Sequence, residues 1–323
     1  MQAVMIERLG GPDVLLVTSR EAPEPGPGQL LVEVAAAGVN YMDIYQREGR
    51  AYKLDLPSGL GVEGAGRVLK VGPDVSNIKP SDRVAWQGAQ GSYAEQVIVP
   101  AVRAVPVPDG IDLSTAAASL LQGITAHYLS HSTFPVSRNQ LVVVHAAAGG
   151  VGMLLTQMVK MLGGIVLATT STPEKAELAT QAGADRVADY DNFVSAAKEM
   201  GDGAGAHVVY DGVGKATFEN SLTALRRRGY GVLYGAASGP VPPFDLQRLN
   251  PLGSLFVTRP AIGDYVATRE ELLERSGAIF RWIKEGKLKV RVGGTYRLEE
   301  VARAHQDLAA RKTTGKLLLV PGG

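Results

Sequence analysis

No cysteine occurs among the 323 residues. Disulfides, a catalytic thiol and every cysteine-ligated zinc or iron–sulfur centre are therefore excluded. Aromatic residues are scarce at 6%, and neither charge dominates, since 33 Lys and Arg against 32 Asp and Glu leave +1. A chain so balanced lacks the electrostatic footprint of a nucleic-acid or anionic-membrane binder. No apolar run approaches the ~18 residues of a membrane helix, because Gly, Pro and charges interrupt each one. The opening Met1-Gln2-Ala3-Val4-Met5-Ile6-Glu7 has no basic segment leading into an apolar one, so no signal peptide is expected. The cytoplasm is the expected compartment. Glycine, by contrast, is abundant, with 39 residues against a ~7% average, and many turns or close backbone approaches follow. The composition is that of a globular chain, and its length exceeds one ordinary ~150-residue core, which predicts two domains.

Residues 1–122 read as short strands with turn punctuation. Leu30 to Val34 is β-rich and follows the turn cluster Pro23 to Gly28; Gly66 to Gly72, Arg83 to Trp86 and Ala94 to Pro100 are further strands. From about Asp112 the pattern changes. Thr115 to Leu121 and Ala126 to Leu129 read as helical, and then strands and helices alternate. The strands are Leu141 to His145, Ile165 to Thr170, Val208 to Asp211 and Gly231 to Gly235; the helices are Val151 to Leu162 and Pro173 to Gln181. Thr172 before Pro173 supplies an N-cap and a preset first helical residue. Such alternation means βαβ units and a parallel sheet. A helix from Glu270 to about Glu285, a strand from Val290 to Thr295, a helix from Glu299 to Ala310 and the strand Lys316 to Val320 close the chain. The fold class is thus α/β: a β-rich domain of 1–122 and 267–323, and a doubly wound parallel-sheet domain of 123–266.

Ala146-Ala147-Ala148-Gly149-Gly150-Val151-Gly152 follows a buried strand and opens a helix. Small residues there let a backbone approach a pyrophosphate, and free N–H groups at the helix start bind its charge. Ala147 stands where the strict G-x-G-x-x-G has its first glycine. An NAD-specific site places an acid about 20 residues further on, for the ribose 2′-hydroxyl. Here the next strand runs into Thr169-Thr170-Ser171-Thr172, with no acid before Glu174. Hydroxyls and Lys175 suit a 2′-phosphate, which favours NADPH. Lys175 is equally at home as a solvated first-turn residue.

Three segments carry a family resemblance: Ala35 to Asp43, Gly61 to Val68, and the turn from Ala146 to Gly152. In their order and spacing the chain resembles the medium-chain dehydrogenase/reductase superfamily and, within it, the zinc-free NADPH:quinone reductases (the zeta-crystallin-like group). The resemblance implies a GroES-like first domain, a Rossmann middle, and a substrate taken between them beside the nicotinamide. Zinc dehydrogenases of this superfamily place a cysteine ligand and a histidine where this chain has Asn40 and Val62, and valine offers no ligand atom. No metal is expected. His127 and His131 are spaced i,i+4, but Tyr128 replaces the glutamate of a zincin, so they read as an ordinary helix-face pair. Without a Lewis acid, alkoxide stabilisation is lost, and a quinone is a better acceptor because its reduction gains aromaticity.

The resemblance carries Asn40 and Tyr45 to the nicotinamide pocket, with Tyr52 and Thr125 lining it, and makes Asn40, Tyr45 and Tyr52 the catalytic candidates. Asn40 has a plainer alternative as an Asx turn, and the tyrosines as half-buried packing residues. Asp43 reads as structural, and Glu63 as a buried hydrogen-bonding partner. The cofactor candidates are Ala148, Gly149, Gly150 and Val151 in the turn, then Ser171, Lys175, Tyr190 and Arg311 for the 2′-phosphate. Val213, Tyr234 and Gly235 stand at the carboxyl edge, and Phe256 at the nicotinamide end. Arg311 also fits a cation near a helix C-terminus. Arg226-Arg227-Arg228 before Gly229 reads as a solvated helix end with a glycine cap. Leu255 to Thr258 is the expected last strand, whose edge in the family makes a homodimer. The leading expectation is metal-free, NADPH-dependent reduction of quinones. The alternatives are an NADPH-dependent 2-alkenal or enone reductase and a non-catalytic NADPH-binding protein.

Overall fold

Leu141–Val144 is apolar at every position and buried at every position. An alternating strand covers one face only, whereas a continuous apolar run marks a strand covered on both. The computed structural model, described here for residues 1–322, places this strand inside a six-stranded sheet. Its strands lie in the order Arg186–Ala188, Ile165–Thr169, Leu141–Val144, Ala206–Asp211, Leu225–Leu233 and Phe256–Thr258. Every neighbouring pair is parallel. In chain order the sheet reads 3-2-1-4-5-6, the doubly wound arrangement, and its order reverses between Leu141–Val144 and Ala206–Asp211. Leu141, Val143, Leu167 and Val209 share one core with Phe193, Phe218 and Leu222 from the helices.

This sheet belongs to a unit of Gly123–Ala267. The second unit combines Met1–Gln122 with Thr268–Gly323. Its seven-stranded sheet runs Val292–Arg297, Lys316–Val320, Gln29–Val39, Glu63–Val71, Arg83–Gln87 and Ala104–Pro106, with Gln96–Pro100 also paired to Gln29–Val39. The long central strand serves both Glu63–Val71 and Gln96–Pro100 and, further along, Lys316–Val320, whose Leu318 lies opposite Gly38. Trp86, Tyr93, Leu30, Ile6 and Leu319 fill its core.

Three sequence expectations are corrected. The helix expected in two pieces around Gly123 is continuous over Leu113–Tyr128. The arginines 226–228 do not end a helix: Phe218–Thr223 stops at Ala224, and the arginines lie in the strand Leu225–Leu233. There the pairing jumps from Ala206 opposite Leu225 to Val208 opposite Tyr230, so the arginines bulge from the ladder, with Arg228 in the left-handed region. The last strand before the C-terminal helix is Val292–Arg297, two residues later than its apolar pattern suggests. The N-cap at Thr172 is present as expected, its hydroxyl accepting the Lys175 N–H at 3.3 Å. His127 and His131 stack with centroids 4.2 Å apart.

Candidate functional site

In the Gly123–Ala267 unit, the candidate groups collect where three neighbouring strands end. After Leu141–Val144 the chain turns through Ala146, at φ +49°, and enters the helix Gly150–Met161 with no side-chain cap on its first N–H groups. A Cβ on Gly152 would lie 2.7 Å from the Ala147 Cα and collide with the Ala146 carbonyl, so only glycine lets the helix begin this close to the strand. A twelve-residue helix with unclaimed donors and its positive dipole end directed at the turn favours an anion.

The next strand ends at Thr169. Beyond it Thr170 is buried, Ser171 is exposed, and the Lys175 Nζ lies 3.5 Å from the Ser171 Oγ. Hydroxyls and the Lys175 ammonium gather at this strand end, with Glu174 in the first turn of the next helix held by the Thr172 side chain. The Tyr190 hydroxyl accepts the Ala146 N–H at 3.2 Å, which places that tyrosine against the glycine-rich turn. After Ala206–Asp211, the Asp211 carboxylate accepts the N–H groups of Val213 and Gly214 at 2.8 and 2.9 Å. The Asp211 carbonyl accepts from Tyr234 N–H at 2.9 Å and from Gly235 N–H at 3.3 Å. The turn residues Ala148, Gly149, Gly150 and Val151 and the group of Ser171, Lys175, Tyr190, Val213, Tyr234 and Gly235 thus share one edge of one sheet. Thr125 is buried on the helix Leu113–Tyr128, and Phe256 is half-exposed on the edge strand, stacked 4.5 Å from Tyr230.

The other unit holds a different cluster. Asn40 caps the short helix Tyr41–Arg47, with Asp43 returning a hydrogen bond to the Asn40 N–H at 2.8 Å. Both amide protons of Asn40 are engaged, with Nδ2 donating to the Gly38 carbonyl at 3.2 Å and to Glu63 at 3.0 Å, and Oδ1 accepts from the Lys316 ammonium at 2.7 Å. Lys316 also pairs with Glu63 at 2.5 Å, both side chains being at most 1% exposed. Glu63 accepts the Leu121 N–H at 2.7 Å through its other oxygen. Gly38 makes the space, since a Cβ there would strike Glu63 and lie 2.8 Å from the Lys316 Nζ. Asp43 accepts the Tyr93 hydroxyl at 2.6 Å, while its Oδ1 is buried with no partner. Burial pushes the Asp43 carboxyl up to about 7, against the opposing pull of these hydrogen bonds.

Tyr45 is buried with the Arg50 guanidinium 5.1 Å over its ring. Tyr52 is half-exposed in the left-handed region. Arg311, also left-handed, follows the helix Val301–Ala309 and donates its N–H to the Leu308 carbonyl at 3.0 Å. Three polar residues that sequence reasoning passed over are central to these clusters: Lys316, Tyr93 and His145. The only trace of the first is a glycine, Gly38, in a strand otherwise built for packing. Among the described residues, no group of three or more His, Cys, Asp or Glu is placed to hold a metal ion.

A doubly wound sheet with a glycine-rich helix start, joined to a β-rich unit through which the chain leaves and returns, defines an alcohol-dehydrogenase-like protein. The family models agree: residues 26–109 match the alcohol dehydrogenase GroES-like domain, and 150–275 the zinc-binding dehydrogenase domain. The quinone oxidoreductase of Pseudomonas aeruginosa is 43% identical over 315 residues, 97% of each chain. The structure of Escherichia coli quinone oxidoreductase complexed with NADPH superposes with a TM-score of 0.97 at 41% identity, covering 99% of this chain and 100% of that one. A mycobacterial protein complexed with NADPH gives 0.97 at 46% identity, with the same coverage. The chain belongs to the quinone oxidoreductases of the medium-chain dehydrogenase/reductase superfamily.

Proposed function

We propose that this protein is an NADPH-dependent quinone reductase that works without a metal. The observation that carries this is the sheet edge itself, in a chain that matches quinone oxidoreductases over nearly its whole length. Bound NADPH supplies a hydride. The open N-terminus of Gly150–Met161 and the Cβ-free approach at Gly152 fit a pyrophosphate. Ser171 and Lys175, with Tyr190 near the turn, fit a 2′-phosphate, and Arg311 is proposed as a further phosphate partner. A carboxylate at the same strand end would repel that group. Val213, Tyr234, Gly235, Thr125 and Phe256 are proposed to line the rest of the cofactor.

Asn40, Tyr45 and Tyr52 are proposed to orient the quinone and nicotinamide. Asn40 would do so through the second lone pair of Oδ1, because its two amide protons and its first lone pair are already engaged. A metal is not invoked, because the donors around Asn40 are neutralised internally: the Lys316 ammonium already offsets the Glu63 charge. The cytoplasm is the proposed compartment, and no helix among the described residues is long and apolar enough to cross a membrane. The edge strand Phe256–Thr258, bonded only to Leu225–Leu233 within the sheet, supports a homodimer through strand pairing.

The test follows NADPH absorbance in chelator-treated protein with a panel of quinones, an enone, and NADH in place of NADPH. Fast quinone-dependent consumption of NADPH and slow consumption of NADH are expected. Turnover with the enone alone would replace the substrate class, and activity recovered only on adding zinc would defeat the metal-free mechanism.

A further inference from the structure

His145 ends the strand Leu141–Val144 and immediately precedes the glycine-rich turn. Its side chain is fully buried, and both ring nitrogens are engaged. Nδ1 lies 2.8 Å from the Thr169 hydroxyl, at the end of Ile165–Thr169. Nε2 lies 3.0 Å from the Ser221 hydroxyl, on the helix Phe218–Thr223. Ser221 donates in turn to the Asp211 carboxylate at 2.9 Å, at the end of Ala206–Asp211. The imidazole therefore joins the carboxyl ends of three adjacent strands, on either side of the point where the strand order reverses.

The protons follow from the donors available. Asp211 also takes the Thr217 hydroxyl and the N–H groups of Val213 and Gly214, so it acts here as an acceptor only. The one proton of Ser221 faces two acceptors at 2.9 Å, the Asp211 carboxylate and the Thr217 carbonyl, and neither arrangement leaves it for the imidazole, so His145 donates Nε2–H to Ser221 and accepts the Thr169 hydroxyl at Nδ1. Burial lowers the imidazole's affinity for a proton despite the Asp211 charge, in keeping with this neutral tautomer. Ser, His and Asp in line invite comparison with a nucleophilic triad, but the serine proton is directed to acceptors other than the imidazole, and all three side chains are buried.

We propose that His145 is a positioning residue for NADPH: through Thr169 and through Ser221–Asp211 it holds the turns after three strands in mutual register, so that their N–H groups and hydroxyls converge on one dinucleotide. The proposal rests on the cofactor assignment above. It assigns His145 no contact with the substrate. Because the three turns move as a set when the link is cut, the whole nucleotide is affected rather than the 2′-phosphate alone.

Dissociation constants for NADPH and NADH, measured by quenching of intrinsic fluorescence or by calorimetry, test this alongside the melting temperature. His145→Phe is expected to weaken both cofactors by about tenfold and to a similar degree. Ser221→Ala, which cuts the same link from the helix, is expected to act likewise, and it keeps the test open if His145→Phe does not fold. The double variant should be no weaker in binding than the worse single one, since both changes remove one connection. Leu222→Ala is the control, on the same helix but outside the network, and should lower the melting temperature while leaving both constants within about twofold. If His145→Phe and Ser221→Ala lower the melting temperature yet bind NADPH like the unaltered protein, the residue is only structural. Multiplying effects in the double variant would equally overturn the proposal. Failure of the unaltered protein to bind NADPH would instead overturn the cofactor assignment, and this inference with it.

Discussion

Replacing Lys316 by Met should cost more stability than replacing Lys316 and Glu63 together. In Lys316→Met the Glu63 carboxylate stays fully buried, holding the Leu121 N–H at 2.7 Å and the Asn40 amide at 3.0 Å but no countercharge. Removing one partner of a buried pair costs about 3–5 kcal/mol, because the remaining charge has neither water nor an opposite charge. That is a large share of a typical folding free energy of about 5–15 kcal/mol. In Glu63→Gln/Lys316→Met no charge is stranded, and the main residual loss is the donor to Asn40 Oδ1, about 1 kcal/mol. Urea unfolding followed by tryptophan fluorescence suits the measurement. Both tryptophans, Trp86 and Trp282, lie in the unit that contains the pair. The expected order of stability is unaltered protein, then the double variant, then Lys316→Met. A double variant at least as unstable as Lys316→Met would refute the reasoning, as would a single-variant loss below about 1 kcal/mol, within the range of an exposed pair.

Asp43 should give stability an inverted pH dependence. Its folded carboxyl titrates at about 7 against 3.8 when unperturbed, so between these values the folded state holds the extra proton. The stabilisation is complete below the unfolded value and is lost as pH rises through about 7, by up to about 4 kcal/mol. His305, lowered by burial to about 3, contributes the opposite slope: its contribution is present above 6.5 and lost as pH falls. The effect is therefore read as the difference between the unaltered protein and Asp43→Asn, which should fall as pH is raised from 4 to 8; a flat difference would disprove it. Lys175→Ala and Arg311→Ala should each weaken NADPH far more than NADH, by about 1.5–3 kcal/mol per lost charge-assisted contact. Equal losses for both cofactors in titrations would remove the 2′-phosphate assignment. Gly152→Ala should abolish measurable NADPH binding while circular dichroism stays close to normal, because the added methyl meets backbone at Ala146 and Ala147; tight binding by that variant would show that the turn can shift.

The nucleotide half of the molecule was legible because its signals are local. Thr172-Pro173 announces a helix start, and an uninterrupted Leu-Val-Val-Val strand followed by small residues announces a buried turn. Lys316 was hidden by the same logic: it opens an apolar run, Lys-Leu-Leu-Leu-Val, with no alternation to say which face it takes, and its partners are distant in the chain, with Asn40 276 residues away. The arginines at 226–228 misled because three cations before a glycine look like a helix end. The register slip that places them in a strand depends on the neighbouring strand, which no local window contains. Asn40 was reached through the family resemblance, but its engagement by Lys316, Glu63 and Gly38 becomes visible only in three dimensions.

The pairing of Lys316–Val320 with Gln29–Val39 sets a timetable for synthesis. On the ribosome, residues 1–122 emerge before 123–267, yet their sheet lacks an interior strand, and Glu63 lacks its cation, until Lys316–Val320 has been made. The 123–267 unit has every strand of its sheet in hand once Thr258 has been made. The usual order, in which the N-terminal domain folds first during translation, is therefore reversed here. The opening segment must wait with the exposed edges of Gln29–Val39, which makes the early nascent chain, rather than the finished protein, the species most in need of a chaperone.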